Sequence, residues 1–181
     1  MDKLPGIRPR ESLGRQLDMA ARWAFPATST ALLLLAAAMP LGVPGQPVLQ
    51  ISVAIACVFF WSLFRPGAML PLTVFLIGLL ADLLGFAPIG VSVLSLLVVH
   101  AFALRWRRVL VRQGFLLVWL AFVGIAAGAA ALQWALTAVL TFRLLPFGPA
   151  AFQMVVCAGI YPILATPLTR AHHSLAAPER A

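Results

Sequence analysis

The chain has 181 residues, 62% of them hydrophobic and only 10% charged, and carries a formal net charge of +8. Its mean hydropathy of +1.01 lies well above that of a soluble globular domain, and no single soluble core hides that much apolar surface. The positive charge does not mark a nucleic-acid binder, because the basic residues gather at the chain ends and between apolar runs, where lipid headgroups would lie.

Five basic residues, Lys3, Arg8, Arg10, Arg15 and Arg22, precede the first apolar run. Ala36 to Ala38 offers small residues for a cleavage site, but the basic region is long and five more apolar runs follow, which argues against a cleaved signal peptide. Residues 1–22 are read as a cytoplasmic arm. Leu13, Leu17 and Ala20 recur at helical spacing, so the arm is either a short interfacial helix on anionic lipid or a basic tail that only sets topology.

A helix needs about 20 apolar residues to cross the hydrocarbon core. Six spans are expected, over residues 23–43, 48–64, 68–84, 88–104, 114–140 and 149–168. They make a membrane domain over 23–169, with a cytoplasmic tail over 170–181. Pro44-Gly45, Arg65-Pro66-Gly67, Gly85, the RWRR run at 105–108 and Arg170 supply the stops. With both termini cytoplasmic, twelve of the thirteen Lys and Arg face inward and only Arg143 faces out, as the positive-inside rule requires. The links at Arg65-Pro66-Gly67 and at 85–87 are short enough to force spans two, three and four into antiparallel succession.

Asp82 is the one acidic residue in this apolar body. It is expected in the last turn of span three, where the helix terminus already carries partial negative charge. A carboxylate near hydrocarbon adds a further cost, about 2.5–3.5 kcal/mol at mid-span on insertion scales. Two unfavourable terms call for a partner. One candidate is the free backbone N–H set around Gly85, Pro88 and the start of span four; the other is Arg143. Either makes Asp82 a structural lock. A proton relay is the third reading, but His100, the one histidine within the spans, lies about 18 Å deeper along span four, toward its inner end.

Other polar marks are sparse. Gly124 and Gly128 form a GxxxG pattern on span five, a face that packs either within the fold or against a partner, and internal packing is the one expected. Gln133, Thr137 and Thr141 share one helix face, as do Gln153, Cys157 and Tyr161; interhelical contacts are expected of both sets rather than a substrate pocket. Trp61 and Arg65, one turn apart at the inner end of span two, suit an interface anchor or a docking point for a cytoplasmic partner. Cys57 and Cys157 stand alone in apolar runs, so neither a disulfide nor a metal site is expected. No catalytic motif or paired carboxylate is present, and neither enzymatic activity nor a cofactor is expected.

One stretch carries a family resemblance. Trp61, Arg65 and Pro66 close one span as W-x-x-x-R-P; Gly78 to Asp82 read G-L-L-x-D in the next; Gly85, Pro88 and Gly90 follow as G-x-x-P-x-G. In this order, and with the size and span number, the chain resembles the rod shape-determining protein MreD family over about residues 61–99. The resemblance implies a multi-pass protein of the bacterial inner membrane, a non-enzymatic scaffold of the cell-elongation complex that regulates peptidoglycan synthesis. The implied partners are MreC, MreB, RodA and a class B penicillin-binding protein. The implied fold is similar to the six-helix substrate-binding components of energy-coupling-factor transporters. A substrate-binding subunit of a small-molecule transporter is therefore the alternative, and it requires a polar cavity.

Overall fold

The computed structural model describes residues 13–39, 42, 45–85, 88–143 and 146–176, with backbone only for 13–18 and 172–176. The start of the basic arm, the end of the tail, Pro44 and residues 86–87 lie outside these. The described residues form six helices and no strand: α1 Leu13–Ala38, α2 Gln46–Phe64, α3 Pro71–Leu84, α4 Val91–Leu110, α5 Phe115–Thr141 and α6 Gly148–Ala176. Three of them, α2, α5 and α6, are long and apolar enough to cross a membrane.

The boundaries differ from the hydropathy reading in several places; α1 ends at Ala38 and not at 43, and α6 runs through Arg170 to Ala176, past the expected end at 168 and into the expected tail. α1 begins at Leu13, so part of the expected arm continues the first apolar helix without a break. α3 starts at Pro71, because Pro66 and the turn that follows it keep residues 66–70 out of the helix. α4 starts at Val91, after a turn at Ile89-Gly90, and runs through Arg105, Arg107 and Arg108 to Leu110. Arginine is a good helix former and two of these cations sit in the last turn, where the helix dipole favours them; charge marks where apolar character ends, not where the helix ends.

α2 is apolar around its whole circumference and is the central helix. α1, α3, α4, α5 and α6 follow one another around it, each in contact with the next. Phe59, Trp61 and Leu63 of α2 are fully buried. The rings of Phe59, Phe122 and Tyr161 join α2, α5 and α6, with Phe122 and Tyr161 stacked at 4.3 Å between centroids. The outward faces remain apolar, with Leu32, Leu72, Leu76, Phe102 and Leu116 all exposed.

Three prolines lie inside helices, and each removes the N–H that would bond the carbonyl four residues earlier. A side chain takes each vacated carbonyl. For Pro26 the carbonyl is that of Arg22, and the Arg65 guanidinium donates to it at 3.1 Å. For Pro162 it is that of Ala158, and the Trp119 indole N–H donates at 2.9 Å. For Pro167 it is that of Ile163, and the Thr166 hydroxyl donates at 3.0 Å. In an apolar surround an orphaned carbonyl is costly, so two of these prolines create interhelical bonds, α2 to α1 and α5 to α6.

Candidate functional site

Gly78 and Asp82 lie one turn apart on α3, and both face the start of α4. Gly78 comes so close that a Cβ added to it would stand 2.6 Å from Val93 Cα, which is backbone and cannot step aside. This contact brings the last turn of α3 alongside the first turn of α4. Asp82, only 3% exposed, then accepts from three backbone amides: Gly90 N–H to Oδ2 at 2.7 Å, Ser92 N–H to Oδ1 at 2.9 Å and Val93 N–H to Oδ2 at 3.5 Å.

The geometry resolves the electrostatic problem. Gly90 is the N-cap residue of α4 and has no side chain to cap with. Its φ of 100° lies in the left-handed region, which only glycine enters freely, and it turns the chain into the helix. Asp82 supplies the cap from the neighbouring helix. The carboxylate sits at the wrong end of its own helix dipole but at the favourable N-terminal end of the next one. Pro88 closes the turn, its carbonyl accepting from Val91 at 3.3 Å, and Gly85 ends α3 by donating to Ala81 at 2.9 Å. Of the two partners open to Asp82, the turn backbone is the one used. Arg143 is exposed beyond the end of α5, and among the described residues Asp82 forms no ion pair with it.

Trp61 and Arg65 form a second cluster, at the opposite end of the bundle. Trp61 is 0% exposed, so it is no interface anchor; it meets Phe25 edge-to-face at 5.9 Å and Phe60 at 5.2 Å. Arg65 closes α2 by donating its N–H to Trp61 O at 2.8 Å and turns its guanidinium to the α1 carbonyl freed by Pro26. Pro66 then prevents the helix from continuing. The W-x-x-x-R-P residues therefore clasp α1. Arg107 of α4 does comparable work, donating to the Leu63 carbonyl in the last turn of α2 at 2.8 Å. Nothing in a hydropathy reading distinguishes it from Arg105 or Arg108.

His100 is not at a helix end. It lies midway along α4, buried, with Nδ1 2.7 Å from Ser62 Oγ of α2. The helix extends far beyond the expected boundary, which moves this residue into the middle. Ser62 and His100 thus make a buried polar contact between α2 and α4.

The expected internal packing of Gly124 and Gly128 is not what the structure holds. Both are exposed, and a Cβ on either meets nothing within 4 Å. They line an open apolar groove of about 530 Å³ between α4 and α5, with Phe102 and Val98 on the other wall. α5 buries its Phe122, Ala126 and Ala129 face instead, which leaves the glycine stripe outside.

The scattered glutamines, in contrast, come together. Gln50 of α2, Gln133 of α5 and Gln153 of α6 line one cavity of about 170 Å³ beside the Asp82 turn, together with Ser92. Gln153 Nε2 donates to Gln133 Oε1 at 2.9 Å. Thr137 and Thr141 share the Gln133 face but bond back to their own helix, at 2.7 Å each, and add nothing to the cavity. Cys157 and Tyr161, on the Gln153 face, point into the core. Among the described residues no group of three His, Cys, Asp or Glu is placed to hold a metal ion. No family model, no curated protein and no solved structure matches the chain.

Proposed function

We propose that this chain is a six-span protein of the bacterial inner membrane, with both termini cytoplasmic, that acts as a non-enzymatic scaffold for partner transmembrane helices in the cell-elongation complex. The observation that carries the scaffold reading is the open glycine groove. A helix face with Gly124 and Gly128 bare to the outside allows a second backbone to approach closely, and in lipid such faces drive association through packing and weak hydrogen bonds. Three polar side chains that hold helices to one another support the same reading: Asp82 at α3–α4, Arg65 at α1–α2 and Trp119 at α5–α6. The arginine distribution supports the topology. Arg65, Arg107, Arg108, Arg112 and Arg170 share the end of the bundle where α1 starts and α6 ends, and Arg143 alone among the described cations is at the other. The placement in the cell-elongation complex, and MreC, MreB, RodA and a class B penicillin-binding protein as partners, rest on the resemblance of residues 61–99.

The test is capture of the tagged protein from its native membrane in a gentle detergent. Stoichiometric MreC is expected, and its loss from a Gly124→Leu/Gly128→Leu double variant that still elutes as a folded protein. Recovery of an ATPase pair with a coupling membrane subunit would overturn the scaffold reading in favour of a transporter's binding component. Undiminished capture by the double variant would move the docking face away from this groove.

A further inference from the structure

We infer that the cavity between α2, α5, α6 and the α3–α4 turn binds a small neutral molecule that presents a hydrogen-bond-accepting oxygen, such as a carboxamide. Its volume, about 170 Å³, compares with the roughly 150 Å³ cavity that holds a six-carbon ring in an engineered protein, so the occupant has about six to eight non-hydrogen atoms. Two of the lining residues carry an amide nitrogen with no partner among the described residues, Nε2 of Gln50 and Nε2 of Gln133. Gln50 is only 5% exposed, and its side chain makes no hydrogen bond to any described residue. An amide buried in this way carries a free-energy penalty that an acceptor on a bound molecule would lift.

The chemistry of the lining sets the class. Gln50, Gln133, Gln153 and Ser92 are neutral donors and acceptors, and the remaining wall, including Val48 and Ile51, is apolar. Among the described residues no charged side chain lines the cavity, and the adjacent Asp82 is committed to three backbone amides. A charged solute would lose its hydration and find no counter-charge, so a neutral one is selected. The Gln133–Gln153 bond fixes two of the side chains in place before anything binds, which lowers the ordering cost on binding. Water fills any polar cavity of this size to some degree, and the inference is that a solute with the right oxygen displaces it. The site is independent of the scaffold role, because it requires occupancy and not transport.

Ser92→Cys places a thiol on the wall, while Cys57 and Cys157 are fully buried and give a low labelling background. The rate at which a small methanethiosulfonate reagent labels the purified, detergent-solubilised Ser92→Cys protein is measured with increasing butyramide, and with butyrate of the same shape. Butyramide is expected to slow labelling at least threefold at saturation, and butyrate to leave it unchanged. Adding Gln50→Leu is expected to abolish the protection, read as the ratio to that variant's own rate without solute; Gln50→Met serves should the leucine variant not fold. Equal protection by butyrate, no protection by butyramide up to about 100 mM, a thiol that never labels, or protection that survives the loss of Gln50 would each overturn the inference. Capture of MreC is unaffected by any of these results, so failure here is separable from failure of the scaffold.

Discussion

Replacing Asp82 removes an acceptor from three backbone amides at once, because Oδ2 serves Gly90 and Val93 and Oδ1 serves Ser92, and the last two amides are buried. Leaving a buried N–H unsatisfied costs about 1–3 kcal/mol, and an anion at a partly buried helix N-terminus contributes up to about 2 kcal/mol more. Asp82→Ala should therefore cost about 3–6 kcal/mol. Asp82→Asn is informative because it is nearly isosteric. One oxygen remains for one amide, but the NH₂ group now faces the other N–H, donor against donor, so about 2–3 kcal/mol should be lost. A midpoint shift of roughly 2–4 °C per kcal/mol for a chain of this size makes these drops of about 4–12 °C for Asn and about 6–24 °C for Ala. Thermal unfolding in a mild detergent, followed with a thiol-reactive dye, suits the protein, because Cys57 and Cys157 are fully buried until the bundle opens. Arg143→Gln should leave the midpoint unchanged. A silent Asp82→Asn, or an Arg143→Gln loss as large as that of Asp82→Asn, would refute the assignment of the carboxylate to the α4 amides.

Glycine substitutions should divide by face. Gly78→Ala drives a methyl to 2.6 Å from Val93 Cα and should cost about 1–3 kcal/mol in the same assay, whereas Gly124→Ala meets nothing and should be neutral or slightly stabilising. Equal effects at the two positions would count against the described packing of α3 on α4. The Arg22 carbonyl freed by Pro26 gives a double-mutant cycle: Arg65→Met should destabilise by about 1–3 kcal/mol in the parent, and by measurably less in a Pro26→Ala background, where the helix regains its own N–H. Trp119→Phe should couple in the same direction to Pro162→Ala, and additive free energies in both cycles would show that these side chains do not serve the proline-vacated carbonyls.

What the sequence by itself determined is the part governed by local rules. Apolar runs of helical length, stops at Gly and Pro, and an arginine pattern with Arg143 as its exception are enough for six helices and an expected orientation. It also shows that Asp82 needs a partner, since a helix C-terminus repels an anion whatever the fold. What only the tertiary structure decided is which faces meet. Trp61 reads as an interface residue because its helix ends nearby, yet α1 folds over it and the ring is buried. Gly78 and Gly124 are the same residue in equally apolar helices, yet one accommodates a neighbouring backbone and the other lies open, because burial depends on what packs opposite and hydropathy is nearly constant around such a helix. The three glutamines are 83 and 20 residues apart along the chain, and no periodicity links them. They share one cavity only because α2 occupies the centre of the bundle and α5 and α6 pack beside it, which is a property of the assembled helices and not of any one of them.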